Sequence, residues 1–293
     1  MPLLRLAFAL LLALAPTLTL AQEKLRAVAT FSILADLVHE VAGDRIALTT
    51  LVGPNGDAHV YQPTPQDAKN MAQAQIIFVN GLKFEGWMDR LIEASGAKGT
   101  LVTAAKGVRP IEEPGAGRRA DPHAWQDIAN AKIYVVNIRG GLIAADPAGR
   151  ADYEANAAAY LARLGTLEGE VRAAVAAIPP GRRKIITTHD AFGYFGRAYG
   201  MSFIAPQNVS TEAEASAKDV AKIIRQIRAE KIPAVFLENV TDTRLIETIA
   251  RESGARIGGK VFSDALSEAG GPAATYIDMM RGNVRAFSAA LGV

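Results

Sequence analysis

PAGRADYEANAAAYLARLGTLEGEVRAAVAAI, residues 147–178, is a long helical pattern in the middle of the chain. Good helix formers dominate it, and only Gly165 and Gly169 weaken it after its first turn. The sequence Pro-Pro-Gly at 179–181 ends it, because proline cannot continue a helix. About 30 helical residues at 1.5 Å each span about 45 Å, enough to run along two domains. We therefore expect a stiff helix between two domains, without large hinge bending.

Short β-rich runs alternate with helical runs on both sides of this helix. Strands are predicted at 25–31, 45–52, 75–80 and 100–104, and again at 184–189, 201–206, 233–238 and 256–262. Such alternation is typical of a parallel sheet covered by helices on both faces. The prediction is an α/β fold of two parallel-sheet lobes joined by one long rigid helix. Its parts are an N-terminal lobe at 22–146, the linking helix at 147–178 and a C-terminal lobe at 179–293.

The first 21 residues predict a secretory signal peptide, which precedes the N-terminal lobe. MPLLRLAFALLLALAPTLTLA carries one positive charge, at Arg5, and an apolar run too short to span a bilayer. Thr19 and Ala21 place small residues at the −3 and −1 positions of a cleavage site after Ala21. The chain has no cysteine, which excludes disulfides, thiolate zinc sites and a lipid-modified N-terminal cysteine. We therefore expect a protein secreted to the periplasm and free of a lipid anchor.

Composition and charge exclude some classes of function. Apolar residues make up 49% of the chain, enough for a large core, and the net charge is +2. Basic residues are scattered and do not form the stripe that nucleic-acid binding needs. We expect no nucleic-acid partner.

Three of the four histidines share one position in the predicted fold. His39 lies on the polar face of a predicted helix, where a solvated side chain is expected. His59, His123 and His189 each lie at or beyond the carboxyl end of a predicted strand. Ligands of open α/β sheets bind in the crevice at these ends. If the lobes face each other, the three imidazoles converge in the cleft between them.

Three convergent imidazoles suit a transition metal, and a fourth ligand would close a tetrahedron. Asp190, Glu238 and Asp264 are the candidates in the second half of the chain. Asp190 adjoins His189 on a strand and should point to the opposite face. Glu238 ends a strand at a suitable height. Asp264 follows a strand and is favoured, although a turn-capping role is equally compatible with its position.

The stretch DPHAW, residues 121–125, places His123 in a stiff setting. Pro122 restricts the preceding residue, so the loop geometry can exist before a metal arrives. A metal-binding histidine usually donates its other N–H to a carboxylate or carbonyl. Asp57, Asp121 and Glu238 are candidates for this role. Trp125 and Tyr61 are expected to pack around the site without touching the metal.

Five segments of the chain resemble a known family of binding proteins. They are GPNGDAHVYQPTPQDAKNMAQAQIIFVNGLKFEGW (53–87), DPHAW (121–125), THDAFGYFGRAYG (188–200), SAKDVAKIIRQIRAEKIPAVFLE (216–238) and VFSDALSEAGGP (261–272). With these segments, the chain resembles the zinc- and manganese-binding solute-binding proteins of bacterial ABC importers, cluster A-I or metal-binding family 9. The resemblance runs from about residue 25 to the C-terminus. It implies two lobes with a metal site between them, with four metal ligands: His59, His123, His189 and Asp264.

The resemblance also bears on the identity of the metal. Manganese- and iron-binding members usually have glutamate at the position of His189. Many zinc-importing members carry a His/Asp-rich loop, whereas GVRPIEEPGAGRRA (107–120) has no histidine. Three imidazoles and one carboxylate suit zinc better than manganese, which prefers more oxygen. We expect Zn²⁺ as the transported ligand, with Mn²⁺ as the second candidate. Copper would also bind such ligands well.

A binding protein of this kind implies particular partners. We expect the membrane permease of an ABC importer, a periplasmic metallochaperone as a further partner, and a monomeric, non-enzymatic protein. Four alternatives stay open: manganese or iron import by the same fold, a zinc hydrolase with Glu238 as base, a zinc buffer, and a protein that binds an organic ligand. H-E-x-x-H is absent, and an organic ligand would need a wide aromatic cleft.

Overall fold

The computed structural model describes residues 23–112 and 120–292. The predicted signal peptide, residues 1–21, lies outside the described residues, as does part of the histidine-free loop, residues 113–119. The described residues form two parallel-sheet α/β lobes joined by a long helix, which confirms the predicted fold class. Within this part of the chain, no helix has both the length and the apolarity to cross a membrane.

The N-terminal lobe is built on a four-stranded parallel sheet. Its strands are β1 (Leu25–Phe31), β2 (Ile46–Val52), β3 (Ile76–Val79) and β4 (Thr100–Thr103), in the order β2-β1-β3-β4. Its helices are α1 (Ser32–Ala42), α2 (Pro65–Gln73), α3 (Met88–Ser95) and α4 (Ile128–Ala145). All four residues of β3 are buried, as expected of a strand with helices on both faces.

The C-terminal lobe repeats this arrangement, with strand order β6-β5-β7-β8. Its strands are β5 (Lys184–Ile186), β6 (Ser202–Ile204), β7 (Ala234–Glu238) and β8 (Arg256–Val261). Its helices are α6 (Gly193–Tyr199), α7 (Ala217–Glu230), α8 (Arg244–Ser253) and α9 (Tyr276–Leu291), numbered after the linking helix α5 (Arg150–Ala177). In each sheet the strand order reverses beside the first strand. Each lobe therefore has a crevice at the carboxyl ends of its strands.

The linking helix α5 has 28 residues and follows a 3₁₀ turn at Pro147–Gly149. One side of it is buried at helical spacing, by Tyr153, Ala157, Tyr160, Leu164, Leu167, Val171 and Val175. This side packs against α1 and α4 in the first lobe and α9 in the second. A single apolar core continues from Phe31 through Leu164 to Phe287. The continuous core opposes a large change in the angle between the lobes.

Two helix starts in the N-terminal lobe begin with hydroxyl residues that play different roles. Thr64 caps α2, with Pro65 as the first helical residue and a reciprocal hydrogen bond to Asp67. Ser32, a typical capping residue at the start of α1, forms no side-chain cap there. Ser32 is already helical, and its hydroxyl accepts the backbone N–H of Leu266 at 2.9 Å. Its partner lies in the other lobe, so this hydroxyl ties the two lobes together.

Candidate metal centre

The structure brings His59, His123, His189 and Asp264 together between the lobes. Each follows a strand: β2, β4, β5 and β8, respectively. The carboxyl ends of the two sheets face each other, so four loops from distant parts of the chain meet at one point. One ligand atom from each residue lies within 4.8 Å of the ligand atoms of the other three. His39 is exposed on α1 and takes no part.

The distances between these atoms suit a small cation. Nε2 of His59 lies 3.2 Å from Nε2 of His123. Asp264 lies 3.3 Å from Nε2 of His59, 3.4 Å from that of His123 and 3.0 Å from that of His189. In a tetrahedral zinc site with bonds of about 2.0–2.1 Å, neighbouring ligand atoms lie about 3.3–3.4 Å apart. The observed distances between ligand atoms are therefore close to those found around a bound zinc ion.

Asp264 is the best placed of the three candidate carboxylates. Its side chain is fully buried, and within the described residues neither oxygen faces a hydrogen-bond donor other than the histidine rings. Burial alone would raise its pKa, but the facing rings of His189 and His123 hold the pKa well below its usual range. The alternative turn-capping role is not seen. The adjacent carbonyl of Ser263 accepts hydrogen bonds from Trp125 Nε1 at 2.9 Å and from the Gln126 side chain at 2.8 Å.

DPHAW holds His123 through Asp121. Oδ1 of Asp121 accepts the backbone N–H of His123 at 2.9 Å and lies 2.8 Å from Nδ1 of its ring. This contact directs Nε2 toward Asp264. Burial disfavours the protonated ring, yet the carboxylates of Asp264 and Asp121 outweigh burial and raise the pKa of His123 to about 9. Trp125 is buried with its ring centroid 5.3 Å from that of His123, as expected of a packing residue.

His189 is held in the same manner by Glu238. Oε1 of Glu238 accepts the backbone N–H groups of Thr188 and His189, at 2.6 and 2.9 Å. Oε2 lies 2.6 Å from Nδ1 of His189. Burial opposes protonation, but Glu238 and Asp264 raise the pKa of His189 well above its usual value. Glu238 thus has the supporting role behind a histidine ring that was one of those expected for it. Asp190, the third candidate ligand, is exposed at the surface.

His59 differs from the other two histidines. Its backbone N–H donates to Oδ1 of Asp57 at 2.9 Å, but within the described residues no carboxylate lies against its Nδ1. Its ring packs edge-on against Phe84, with centroids 4.7 Å apart. Burial lowers the pKa of His59, although Asp264 acts in the opposite direction. Tyr61 lies further out, where it donates to Asp67 at 2.8 Å.

A buried network around Glu85 was missed at the sequence level. Glu85 accepts hydrogen bonds from the Thr30 hydroxyl at 2.7 Å and from the Asn80 backbone N–H at 2.6 Å. The Asn80 side chain then donates to the carbonyl of Pro122 at 3.0 Å. The network therefore fixes the loop that carries His123. In the sequence, the one indication of this network is the position of Glu85, an acidic residue between Phe84 and Gly86 shortly after a buried strand.

The fold and this cluster define the class of the protein: a two-lobed solute-binding protein with a metal-binding cleft. Residues 27–290 match the family described as "ZnuA: Zinc-uptake complex component A periplasmic". The chain belongs to this family, whose members are the metal-binding, substrate-binding components of ABC importers. Such components act with a membrane permease, so this partner follows from the family.

Relatives and solved structures agree on the class but not on the metal. The manganese-binding lipoprotein MntA of Halalkalibacterium halodurans is 36% identical over 270 residues, 92% of this chain and 89% of the relative. The iron ABC transporter substrate-binding lipoprotein MtsA of Streptococcus pyogenes serotype M1 is 34% identical over 283 residues, 94% and 91% of the two chains. The periplasmic zinc binding protein TroA of Treponema pallidum has a TM-score of 0.88 and 31% identity, covering 92% of this chain and 100% of that one.

The names of these relatives correct the expected location. A periplasmic protein without a lipid anchor was predicted because the chain has no cysteine. The relatives from H. halodurans and S. pyogenes are named lipoproteins, which are attached to a membrane, and this contradicts the prediction. Cysteine content bears on one chemical route of attachment and does not decide where a protein resides. The same names give no support to a metallochaperone partner.

Proposed function

We propose that this chain captures Zn²⁺ with His59, His123, His189 and Asp264 and delivers it to the permease of an ABC importer. The convergence of these four side chains carries the proposal, since their ligand atoms lie within 4.8 Å of one another. Two carboxylates outside this set support two of the rings, an arrangement typical of metal sites.

The donor set supports zinc over manganese and iron. Three nitrogen donors and one carboxylate suit a tetrahedral zinc site, whereas manganese prefers more oxygen ligands. The strongest alternative is manganese or iron, because relatives at 36% and 34% identity are named for these metals. Both oxygens of Asp264 face the histidines, so a bidentate carboxylate would raise the number of donors to five. That arrangement would favour Mn²⁺ or Fe²⁺.

Binding without catalysis is part of the proposal. A zinc hydrolase needs an open coordination position for water and a base within reach of it. Glu238, the candidate base, accepts two backbone N–H groups and lies against Nδ1 of His189. Its engagement supports a closed binding site. A zinc buffer would use the same site, and the family's place in ABC importers favours delivery to a permease.

The division of the chain is also proposed. We assign residues 22–146 to the N-terminal lobe, 147–178 to the link and 179–293 to the C-terminal lobe. In support, all strands of one sheet lie in the first range and all strands of the other sheet in the third.

Calorimetry on metal-stripped protein tests the function. We expect about one Zn²⁺ per chain, a higher melting temperature with zinc, and displacement of bound Mn²⁺ by Zn²⁺. His123→Ala should abolish the zinc-dependent rise in melting temperature, whereas His39→Ala, outside the cluster, should retain it. The same rise in His123→Ala would refute the site. Displacement of Zn²⁺ by equimolar Mn²⁺ would refute the choice of metal.

A further inference from the structure

Two Asp-x-His segments of the N-terminal lobe share one local geometry but differ in one contact. Asp57 and Asp121 each accept the backbone N–H of the histidine two residues later, at 2.9 Å. Asp121 also lies against the ring of its histidine. Asp57 instead directs Oδ2 across the cleft, where it accepts the hydroxyl of Thr211 at 2.6 Å. Asp57 therefore joins the loop of His59 to the opposite lobe.

Thr211 lies in the middle of residues 209–215, a segment between β6 and α7. Just before the segment, the carbonyl of Asn208 accepts the N–H of Asp190 at 3.2 Å. Just after it, Ser216 caps α7. Among the described residues, the bond from Thr211 to Asp57 is the only hydrogen bond from this segment to the rest of the protein. The segment is thus anchored at both ends and held across the cleft at one point.

A cavity of about 230 Å³ opens beside this segment. Besides His59, its walls are Leu82, Lys83, Phe84, Gly86, Ala120 and Pro122 of the N-terminal lobe and Val209, Ser210 and Glu212 of the C-terminal lobe. Of the four residues in the metal cluster, His59 alone lines it. The other three side chains have no exposed surface. The entrance to the cluster therefore lies on the side of His59.

The two walls of the entrance differ in rigidity. On the N-terminal side, Gly81, Leu82 and Lys83 have consecutive positive φ angles of 87°, 54° and 62°. Such a backbone persists only where its surroundings hold it, and Glu85 does so by accepting the N–H of Gly81 at 3.3 Å. On the C-terminal side, the Thr211 hydroxyl is the one group of residues 209–215 that hydrogen-bonds across the gap within the described part of the chain. Movement at the entrance is therefore expected on the side of residues 209–215.

We propose that residues 209–215 form a lid over the metal centre, with Thr211 holding it closed. Asp57 is the positioning residue that couples closure of the lid to the placement of His59. The inference rests on the proposed function, since it assumes that the cluster binds a metal ion. When the bond between Thr211 and Asp57 breaks, the lid opens and the loop of His59 loses the tie nearest to His59, while Asn55 still bonds to Leu266. The ion then leaves through the cavity while His123, His189 and Asp264 stay in place.

Zinc release from Thr211→Val tests the lid. The variant keeps the shape of the side chain and removes the hydrogen bond to a charged acceptor. We expect Zn²⁺ to dissociate about five to ten times faster into excess chelator, measured by stopped flow. The melting temperature of the metal-free variant should change little, because the partly buried contact holds only this short segment and not the core. Thr211→Ser keeps the hydroxyl and should restore slow release.

A second threonine gives a matched control. Thr241 lies in the same lobe, and its hydroxyl has no hydrogen-bond partner among the described residues. Thr241→Val should release Zn²⁺ at the wild-type rate. Equal release by Thr211→Val and wild type would overturn the lid, as would equally fast release from both valine variants. A wild-type protein that binds no Zn²⁺ would overturn the proposed function itself, which separates the two failures.

Discussion

At the scale of single residues, the carboxylates behind the histidines distinguish this cluster from a chance grouping. Asp121 and Glu238 lie 2.8 and 2.6 Å from Nδ1 of their histidines, on the side of each ring away from the centre. Both carboxylates are buried; Asp121 also accepts one backbone N–H and Glu238 accepts two. They orient the rings and make them stronger donors. The metal-binding atoms are therefore placed before an ion arrives.

Asp121→Asn should weaken Zn²⁺ binding by about 10- to 100-fold, the usual cost of losing such a supporting group. Asparagine still accepts the backbone N–H of His123, so the loop should keep its shape while the ring loses its charged partner. Calorimetric titration measures the effect. Asp190→Asn, which alters an exposed carboxylate beside His189, is the control and should bind as the wild type does. Equal affinities in both variants would contradict this role of Asp121.

The shifted pKa values predict how metal binding depends on pH. With a pKa of about 9, His123 is protonated at neutral pH in the metal-free protein, and His189 is protonated too. His59, whose pKa is lowered, and the carboxylate Asp264 carry no proton to displace. Zinc must displace the protons that these two raised pKa values favour, so protons leave when the ion binds. Affinity should therefore fall as the pH is lowered.

Proton release can be counted by calorimetry in two buffers of different ionisation enthalpy. Identical heats in the two buffers would mean that no proton leaves. That result would contradict the raised pKa values of His123 and His189.

At the scale of elements, α5 carries two glycines that nothing in its packing requires. Gly165 and Gly169 are exposed, and a Cβ added to either would meet no atom within 4 Å. Glycine inside a helix costs about 0.5–1 kcal/mol relative to alanine. Gly165→Ala and Gly169→Ala should each raise the free energy of unfolding by that amount in chemical denaturation. Gly96→Ala, at a left-handed position with φ of 60°, is the control and should lower it. A loss of stability in both helical variants would show that their flexibility is needed.

Local patterns in the sequence predicted most elements, because periodicity and helix caps depend on near neighbours. The predicted carboxyl ends of the strands also indicated that His59, His123 and His189 would meet in the cleft. Local reasoning failed where a partner is distant in sequence. Ser32 bonds to Leu266, and Glu85 reaches Pro122 through Asn80, so no neighbouring residue signals either role. Position along the chain favoured Asp264 over Glu238, and the family resemblance implied it as a ligand, but a turn-capping role stayed open until the two lobes were seen to face each other.

At the scale of the whole molecule, one continuous core and several hydrogen bonds across the cleft resist hinge motion. Tyr276 donates to the Trp125 carbonyl at 2.7 Å, and Asn55 donates to the Leu266 carbonyl at 2.9 Å. Breaking these contacts together would expose apolar surface and leave buried polar groups unpaired. The lobes should therefore keep their relative position when the metal binds.

Spin labels can measure this, because the chain has no native cysteine to interfere. Lys98→Cys and Lys222→Cys place one label on each lobe, at exposed positions. The distance between the labels should change by less than about 2 Å when Zn²⁺ is added, as in other pre-organised complexes. The same labels on protein without zinc give the reference distance. A change several times larger would reveal a hinge that the core does not prevent.

The placement of the two tryptophans gives the protein an optical signal of its own. Trp125 packs beside His123, and the indole N–H of Trp87 donates to the carbonyl of Ala58 at 2.8 Å. The chain has no other tryptophan, so all of its indole fluorescence originates beside His123 or beside the loop that carries His59. A protonated imidazole quenches a neighbouring indole, and an ion that displaces the proton alters that quenching. Emission from unlabelled protein would therefore report occupancy in real time.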